Sequence, residues 1–294
     1  MGLLARKVVV VTGAGRGIGR EVAIAAAAAG AAVVVADYGV STDGTEPSSA
    51  LADEVAAEIR ATGGKAVGLG DSVVEMDGAK RIVGTAVEQF GRVDGIVCSA
   101  GLFRPGPFLH MSEEDWDSVI ATHLRGHFNM FQAGARAMVE QDIAGSLVAM
   151  GSGYLSGTGS LANYRAAKAG VLALTMTVAI DLTEYGIRAN CLAPAANTRM
   201  TETFGIRVLG DAADVAPMTT FLLSDLATEI NGQIFSVAGG RIAGWADPFE
   251  DHVVRKEGRW TPERSAARSP PSPSASHRRC RDQRRRPDQL SRLW

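Results

Sequence analysis

Cysteine is scarce in this sequence, whose 294 residues include three: Cys98, Cys191 and Cys280. An odd number of widely separated cysteines excludes the disulfide framework of a small secreted domain, and the spacing matches no metal-ligand pattern. Cysteine usage of this kind is typical of proteins in a reducing compartment. We therefore predict a cytoplasmic protein without a bound metal.

Long hydrophobic runs are also absent. The most apolar stretch, residues 22–36, is short for a membrane span and is interrupted by Gly30. The first residues lead directly into a strand-like run, without the hydrophobic region and cleavage site of a secretory signal. The sequence therefore predicts no membrane partner.

Positive and negative charges are nearly balanced, because the sequence has 30 basic and 32 acidic residues. The basic residues are unevenly spread, however, because many follow Val254 in a tail rich in Arg, Ser and Pro. The remaining acidic body argues against nucleic acid as a partner. The tail has no apolar periodicity, which is typical of disorder, although such a tail can also be a membrane or nucleic-acid arm. We predict one domain over residues 1–250 and a disordered basic tail over residues 251–294.

Apolar, strand-like runs alternate with helical patterns through the body of the chain. The predicted strands are Lys7–Val11, Ala32–Asp37, Lys65–Gly70, Val93–Cys98, Gly145–Met150, Ile187–Leu192 and Gln233–Val237. The predicted helices include one that ends at Gly30, Leu51–Arg60, Glu75–Phe90, a long one from Ser112, Ala162–Glu184 and Asp211–Ser224. This alternation predicts an α/β fold with a single doubly wound parallel sheet, a Rossmann fold with helices on both faces.

A glycine-rich turn, T-G-A-G-R-G-I-G at residues 12–19, separates the first strand from the first helix. Without side chains, such a turn lets backbone amides and a helix N-terminus approach a pyrophosphate. Asp37 closes the second strand, where a carboxylate binds the ribose hydroxyls of a dinucleotide and repels a 2′-phosphate. We therefore predict NAD as the cofactor, while Arg16 keeps NADP open as the alternative.

Two further polar residues have a functional and a structural interpretation. Asp71 follows a strand, where ligand contacts cluster in open α/β sheets, but a lone aspartate there is often a helix cap. His123 lies on the inward stripe of the long helix, where a lone histidine is often a hydrogen-bonded core residue rather than a catalytic one. The sequence leaves both interpretations open.

Tyr164 and Lys168 are four residues apart on a predicted helix and therefore share one face. An ammonium close to a phenol favours the phenolate, so we expect Lys168 to lower the pKa of Tyr164 towards neutrality. Such a tyrosine can give a proton to a carbonyl oxygen, or take one from an alcohol, while a nicotinamide carries the hydride. The pair is a candidate acid/base centre.

Five motifs in this order resemble the short-chain dehydrogenase/reductase family over about residues 3–243: T-G-A-G-R-G-I-G, Asp71, S-A-G at 99–101, Y-R-A-A-K and N-C-L-A-P. The segments V-V-V-A-D-Y-G, A-T-H-L-R-G-H-F and P-A-A-N-T-R-M-T-E resemble its branch of (3R)-hydroxyacyl-CoA dehydrogenase domains of peroxisomal multifunctional enzymes and their bacterial relatives.

The resemblance implies roles for individual residues. The implied cofactor-binding residues of the turn are Gly13, Arg16, Gly17, Ile18 and Gly19. Asp37 would bind the ribose, and Asp71 and Ser72 would contact the adenine. Ser99, Ala100 and Gly101 would lie along the cofactor, and Pro194 and Thr198 beside the nicotinamide. Tyr164 becomes the acid/base and also contacts the cofactor, and Lys168 is its partner and also binds the nicotinamide ribose. The resemblance further implies a homodimer or homotetramer, packed through the helices that begin near Ser112 and Ala162.

Three positions depart from the family pattern. The helper serine expected thirteen residues before Tyr164 is Gly151, and Ser152 follows one position later. A one-residue shift at a strand end turns a side chain to the other face, so Ser152 helps only if the loop is rearranged. His123 replaces the asparagine that holds a proton-relay water in many members, and residues 201–213 are shorter than the usual substrate lid.

These observations predict an NAD(P)-dependent oxidoreductase that interconverts a secondary alcohol and a ketone on a small molecule. A 3-hydroxyacyl thioester and a bulky ketone are the substrate hypotheses. The catalytic candidates are Tyr164, Lys168, Ser152 and His123. The alternative is a catalytically impaired NAD-binding relative that acts as a scaffold or sensor. If the loop has the family geometry, Gly151→Ser raises activity.

Overall fold

The computed structural model describes residues 2–39, 48–152, 159–203, 210–246, 258–259 and 261. The chain divides into one compact unit, Met1–Trp245, and a second unit, Ala246–Trp294. Most of the second unit lies outside the described residues. The disordered tail over residues 251–294 therefore stays a prediction.

The described part of the compact unit contains one eight-stranded sheet in the order β3-β2-β1-β4-β5-β6-β7-β8. The strands are β1 Val8–Thr12, β2 Ala32–Ala36, β3 Lys65–Leu69, β4 Gly95–Cys98, β5 Ser146–Met150, β6 Arg188–Pro194, β7 Ile234–Ala238 and β8 Arg241–Gly244. Strands β1 to β7 pair in parallel, which confirms the doubly wound parallel sheet. All seven predicted strands are present, with ends that differ by one or two residues.

The eighth strand was not predicted. β8 pairs antiparallel with β7 through a tight turn in which Gly239 has a φ of +55°. Three of its four residues are exposed, so it lacks the apolar run that identified the buried strands. The sheet is therefore not parallel throughout.

Helices cover both faces of the sheet. They are α1 Gly17–Ala28, α2 Ala50–Ala61, α3 Met76–Phe90, α4 Glu113–Ile120, α5 Gly126–Glu140, α6 Ala162–Asp181, α7 Arg199–Thr203 and α8 Ala216–Leu223. Successive valines of β1 point to opposite faces of the sheet. Val9 belongs to the hydrophobic cluster that includes α1 and α8, and Val10 belongs to the cluster that includes α3 and α5. No described helix is long and apolar enough to cross a membrane.

The long helix predicted from Ser112 is not uniform. Its start is as expected, because the Ser112 hydroxyl accepts a bond from the Asp115 amide at 3.0 Å. One turn, Ala121–Arg125, is π-helical and separates α4 from α5. Such a turn often marks a functional site, and this one carries His123.

Candidate active site

A cleft of about 520 Å³ opens at the carboxyl ends of the parallel strands. It lies where the strand order reverses between β1 and β4, the position at which open α/β sheets bind ligands. The cleft brings together the predicted residues Gly13, Arg16, Gly17, Ile18, Asp37, Asp71, Ser72, Ser99, Ala100, Gly101, His123, Tyr164, Lys168, Pro194 and Thr198. Of the predicted set, Gly19 and Ser152 do not line it.

The glycine turn needs its glycines for two different reasons. Gly13 has a φ of +64°, and a Cβ there would lie 2.7 Å from the Ala100 backbone. Gly19 lies beneath the turn, where a Cβ would lie 2.2 Å from the carbonyl oxygen of Gly13. Gly19 thus lets α1 pack directly against the turn, which explains why it does not reach the cleft.

Asp37 ties the end of β2 to this turn. Its Oδ2 accepts a bond from the Gly15 amide at 2.7 Å, and its Oδ1 accepts one from the Gly39 amide at 2.7 Å. Arg199 also lines the cleft, and burial together with the charge of Arg16 lowers its pKa. Arg199 was not predicted from the sequence, although its place directly after Thr198 was a usable signal.

Asp71 is held by an arginine that the sequence analysis also missed. Arg81 Nε donates to Asp71 Oδ2 at 2.6 Å, and Arg81 Nη2 donates to Oδ1 at 2.8 Å. This bond lowers the pKa of the Asp71 carboxyl. The N-cap of α3 is Glu75, so the helix-cap interpretation of Asp71 is wrong.

His123 faces inward, as predicted, and only 2% of it is exposed. Its Nε2 donates to the Leu102 carbonyl at 2.8 Å, and its Nδ1 has no hydrogen-bond partner within the described part of the chain. Burial, and then the charge of Lys168, place its pKa well below the usual value. The imidazole is therefore neutral, with a buried acceptor nitrogen, and its ring meets the Tyr164 ring edge-on with ring centres 5.2 Å apart.

Lys168 lies beneath Tyr164, with its Nζ 5.7 Å from the centre of the phenol ring. The Nζ donates to the Met150 carbonyl, and burial lowers the pKa of Lys168 to about 8. The expected lowering of the Tyr164 pKa is wrong. Burial raises that pKa, because removing the phenolate from water outweighs the groups that favour it.

The Ser152 side chain interacts with Tyr164 in a way that favours the phenolate, and this interaction partly offsets the effect of burial on the tyrosine pKa. A Cβ on Gly151 would instead lie 2.7 Å from Cys191 Sγ and 2.9 Å from Leu172 Cδ2, which places it in the core. Of these two positions, residue 152 is the one whose side chain interacts with Tyr164. Counting thirteen residues back from the tyrosine assumes one loop length between β5 and α6, so Ser152 stays the predicted helper and Gly151 marks the family position. Residues 153–158, which include Tyr154, lie outside the described residues.

We expect Ser152→Ala to lower the rate of carbonyl reduction on the order of 10²-fold, because one hydrogen bond to the reacting oxygen is lost. Gly151→Ser should give no gain, contrary to the expectation from the family spacing, and should lower the Tm because its side chain enters a filled core. Steady-state kinetics and thermal unfolding of both variants test this. A faster Gly151→Ser enzyme would contradict the assignment of Ser152.

Comparisons with known proteins identify the family of the chain and agree with its fold. A family model described as short chain dehydrogenase matches residues 7–206. The chain belongs to the short-chain dehydrogenase family. A short chain dehydrogenase from Mycobacterium avium has the same fold, with a TM-score of 0.81, 36% identity and coverage of 94% of this chain and 95% of that one.

Two relatives support the predicted branch of the short-chain dehydrogenase family. The peroxisomal multifunctional enzyme type 2 of Mus musculus is 39% identical over 87% of this chain, which spans 35% of the mouse protein. The hydroxyacyl-CoA dehydrogenase ChsB1 of Mycobacterium tuberculosis is 35% identical, with coverage of 88% of this chain and 86% of that one. The predicted family and its hydroxyacyl-CoA dehydrogenase-like branch are confirmed.

Family membership also confirms the predicted enzyme class. The chain is an NAD(P)-dependent oxidoreductase that interconverts a secondary alcohol and a ketone. The relatives are active dehydrogenases by name, so the comparisons give the impaired-relative alternative no support. Among the described residues, no three His, Cys, Asp or Glu side chains are arranged to hold a metal ion.

Proposed function

We propose that this short-chain dehydrogenase transfers a hydride between NAD and a 3-hydroxyacyl thioester or a bulky ketone, with Tyr164 as the proton donor and acceptor. The observation that carries the proposal is the cleft, which brings Tyr164 and Lys168 together with nearly all of the predicted cofactor residues. The cofactor supplies or accepts the hydride. The side chains of this protein must therefore transfer the proton and stabilise the charge on the substrate oxygen.

Each catalytic candidate has a role that its surroundings support. Tyr164 retains its proton at neutral pH because burial raises its pKa, which makes it an acid for ketone reduction. Ser152 steadies the same substrate oxygen, and Lys168 supplies positive charge below its pKa of about 8. His123 has a buried Nδ1 whose acceptor position a bound water could fill, and its ring packs edge-on against Tyr164.

NAD is proposed over NADP because of Asp37. Its carboxylate lines the cleft at the end of β2, where it can accept bonds from ribose hydroxyls and would repel a 2′-phosphate. Arg16 and Arg199 line the same cleft and are the features that favour NADP. We give Asp37 more weight than the two arginines in choosing NAD over NADP, because the Gly15 and Gly39 amides hold its carboxylate in place.

The substrate proposal comes from the relatives. The Mycobacterium tuberculosis relative is named for a hydroxyacyl-CoA substrate, and a further relative, from Synechocystis, is a 3-oxoacyl-[acyl-carrier-protein] reductase, 36% identical. Both names specify an acyl thioester with oxygen on the chain. We therefore place thioesters ahead of free cyclic ketones.

The test is NADH and NADPH consumption with a panel of 3-ketoacyl-CoA esters and cyclic ketones. We expect turnover on at least one 3-ketoacyl-CoA, with a kcat/KM roughly 10- to 100-fold higher for NADH than for NADPH, the difference expected when a fixed carboxylate faces an added phosphate. Asp37→Ser should narrow that ratio. Equal use of both cofactors by the wild-type chain would contradict the proposed preference.

We further propose a cytoplasmic homodimer or homotetramer that associates through α5 and α6. These helices border a second cleft, of about 530 Å³, where Phe128 and Tyr185 are more than a third exposed. Arg136, Glu140 and Asp181 line the same face, so a second copy related by a twofold axis could pair opposite charges across it. Sedimentation velocity of the purified chain tests this, and a monomer at micromolar concentration would contradict it.

A further inference from the structure

Asn163 immediately precedes the catalytic tyrosine and is completely buried, with 0% of its surface exposed. Its side chain does not line the cleft. A buried amide needs partners for its two N–H groups and its oxygen, because an unsatisfied polar group is costly away from water. The identity of those partners indicates what the residue does.

All three partners are backbone groups at the substrate side of the site. Asn163 Nδ2 donates to the Arg104 carbonyl at 2.9 Å and to the Asp115 carbonyl at 2.9 Å. Asn163 Oδ1 accepts a bond from the Tyr164 amide at 2.7 Å. One side chain therefore connects the loop after β4, the first turn of α4 and the first turn of α6.

The loop after β4 is also held at a second point. The Leu102 carbonyl accepts the bond from His123, whose ring packs edge-on against Tyr164. Phe103 lies between the two bonded carbonyls in the chain. Its ring packs edge-on against the Tyr164 ring, with ring centres 5.2 Å apart. We define Leu102, Phe103 and Arg104 as the substrate loop.

The substrate loop is fixed to α4 by charge as well. Arg104 Nη1 lies 3.1 Å from Glu114 Oε1 and 3.3 Å from Asp115 Oδ1. The Asp115 carbonyl accepts the second Asn163 bond, so the ion pairs and the amide bonds form one continuous network. A displacement of Asn163 would therefore move both the substrate loop and Tyr164.

We propose that Asn163 is a positioning residue that holds the substrate loop and Tyr164 as one unit. Its oxygen fixes the backbone of Tyr164, and its amide group fixes the loop that borders the substrate oxygen. The inference rests on the proposed role of Tyr164 and extends it. Asn163 does not touch the reacting atoms, so its effect must act through the position and the solvent exposure of the tyrosine.

Replacing Asn163 by alanine should lower kcat for ketone reduction roughly 10²-fold, since displacements of about 1 Å have effects of this size. The KM for the cofactor should stay within about twofold, since the side-chain bonds of Asn163 go to Arg104, Asp115 and Tyr164 rather than to the glycine turn or Asp37. Water should reach Tyr164 more easily, so the part of its pKa shift that is due to burial should shrink. The rate of alcohol oxidation rises with pH as Tyr164 loses its proton, and we call this rise the pH limb. The pH limb should then move to lower pH, which a general loss of stability would not cause.

Asn163→Asp separates the two halves of the proposal. It keeps an acceptor for the Tyr164 amide but replaces the NH₂ donor with an oxygen that faces two carbonyls. We therefore expect the KM for the ketone to rise because the substrate loop is released, while the new carboxyl beside Tyr164 disfavours the phenolate and moves the pH limb of alcohol oxidation to higher pH, opposite to Asn163→Ala. If Asn163→Ala does not fold, this combination of a higher KM and a shifted pH limb decides the question by itself.

Asn190 provides the matched control, because it is also 0% exposed and binds backbone groups through the same atoms. Its Nδ2 donates to the Ile230 carbonyl at 2.8 Å, and its Oδ1 accepts the Gln233 amide at 2.9 Å, away from the cleft. Asn190→Ala should lower the Tm but leave kcat per folded molecule and the pH limb unchanged. Tyr164→Phe is measured alongside. If that variant is inactive while Asn163→Ala and Asn163→Asp both keep wild-type kcat, KM and pH limb, the inference is wrong; if Tyr164→Phe is active, the proposed function fails.

Discussion

Replacing Tyr164 by phenylalanine should lower the rate of ketone reduction by about 10³-fold, the usual contribution of a positioned general acid. The change removes one oxygen and keeps the ring that packs against Phe103 and His123. Folding and cofactor binding should therefore be nearly unchanged. NADH consumption measures the first effect, and titration of NADH fluorescence measures the second.

The rates of ketone reduction and alcohol oxidation by the wild-type enzyme should depend on pH in opposite directions. Burial raises the pKa of Tyr164, so the phenol is protonated at neutral pH and the phenolate forms only in alkali. Reduction needs the phenol and should be fastest at and below neutrality, whereas alcohol oxidation needs the phenolate and should rise as the pH increases. Both limbs should vanish in Tyr164→Phe.

Tyr185→Phe is the matched control, because Tyr185 is 47% exposed and does not line the active-site cleft. It should retain wild-type rates and both pH limbs. A Tyr164→Phe enzyme that keeps more than about a tenth of the wild-type rate would remove Tyr164 from the reaction, since general acid catalysis contributes at least 10²-fold.

Gly19→Ala should weaken NAD binding roughly 10- to 100-fold, because overpacking a filled site costs about 1–3 kcal/mol. The new Cβ would lie 2.2 Å from the Gly13 carbonyl oxygen and must push the glycine turn away from α1. The turn lines the cofactor cleft, so its displacement reaches the bound pyrophosphate. Isothermal titration with NAD measures the loss, and thermal unfolding measures the accompanying decrease in Tm.

Gly84→Ala controls for the loss of a helical glycine. Gly84 lies in α3, where the nearest atom to an added Cβ is 4.0 Å away. Alanine is the better helix former by about 1 kcal/mol, so this variant should raise the Tm and bind NAD normally. Unchanged NAD affinity in Gly19→Ala would show that the turn does not depend on its contact with α1.

The fold was predictable because its signals are local. The buried strands β1, β2 and β5 are continuous apolar runs, and the glycine turn stands between β1 and α1 where a cofactor turn is expected. β8 was missed because it is short, exposed and held only by pairing with β7. An edge strand of this kind carries little pattern of its own.

The site was predictable in its membership but not in its connections. Tyr164, Lys168 and the cofactor residues follow from motifs, whereas Arg81 reaches Asp71 and Asn163 reaches Arg104 only after folding. The position of Ser152 depended on a loop length that spacing alone does not give. The direction of the Tyr164 pKa shift depended on burial, which a helical spacing of four residues does not contain.

The most direct test of the central claim is a crystal structure of the chain with NAD and an unreactive ketone. We expect the ketone oxygen to lie within about 3.2 Å of both the Tyr164 hydroxyl and the Ser152 hydroxyl, the range of a hydrogen bond. A ketone oxygen that meets Tyr164 while Ser152 points elsewhere would contradict the assignment of Ser152. A ketone bound away from Tyr164 would contradict the mechanism itself.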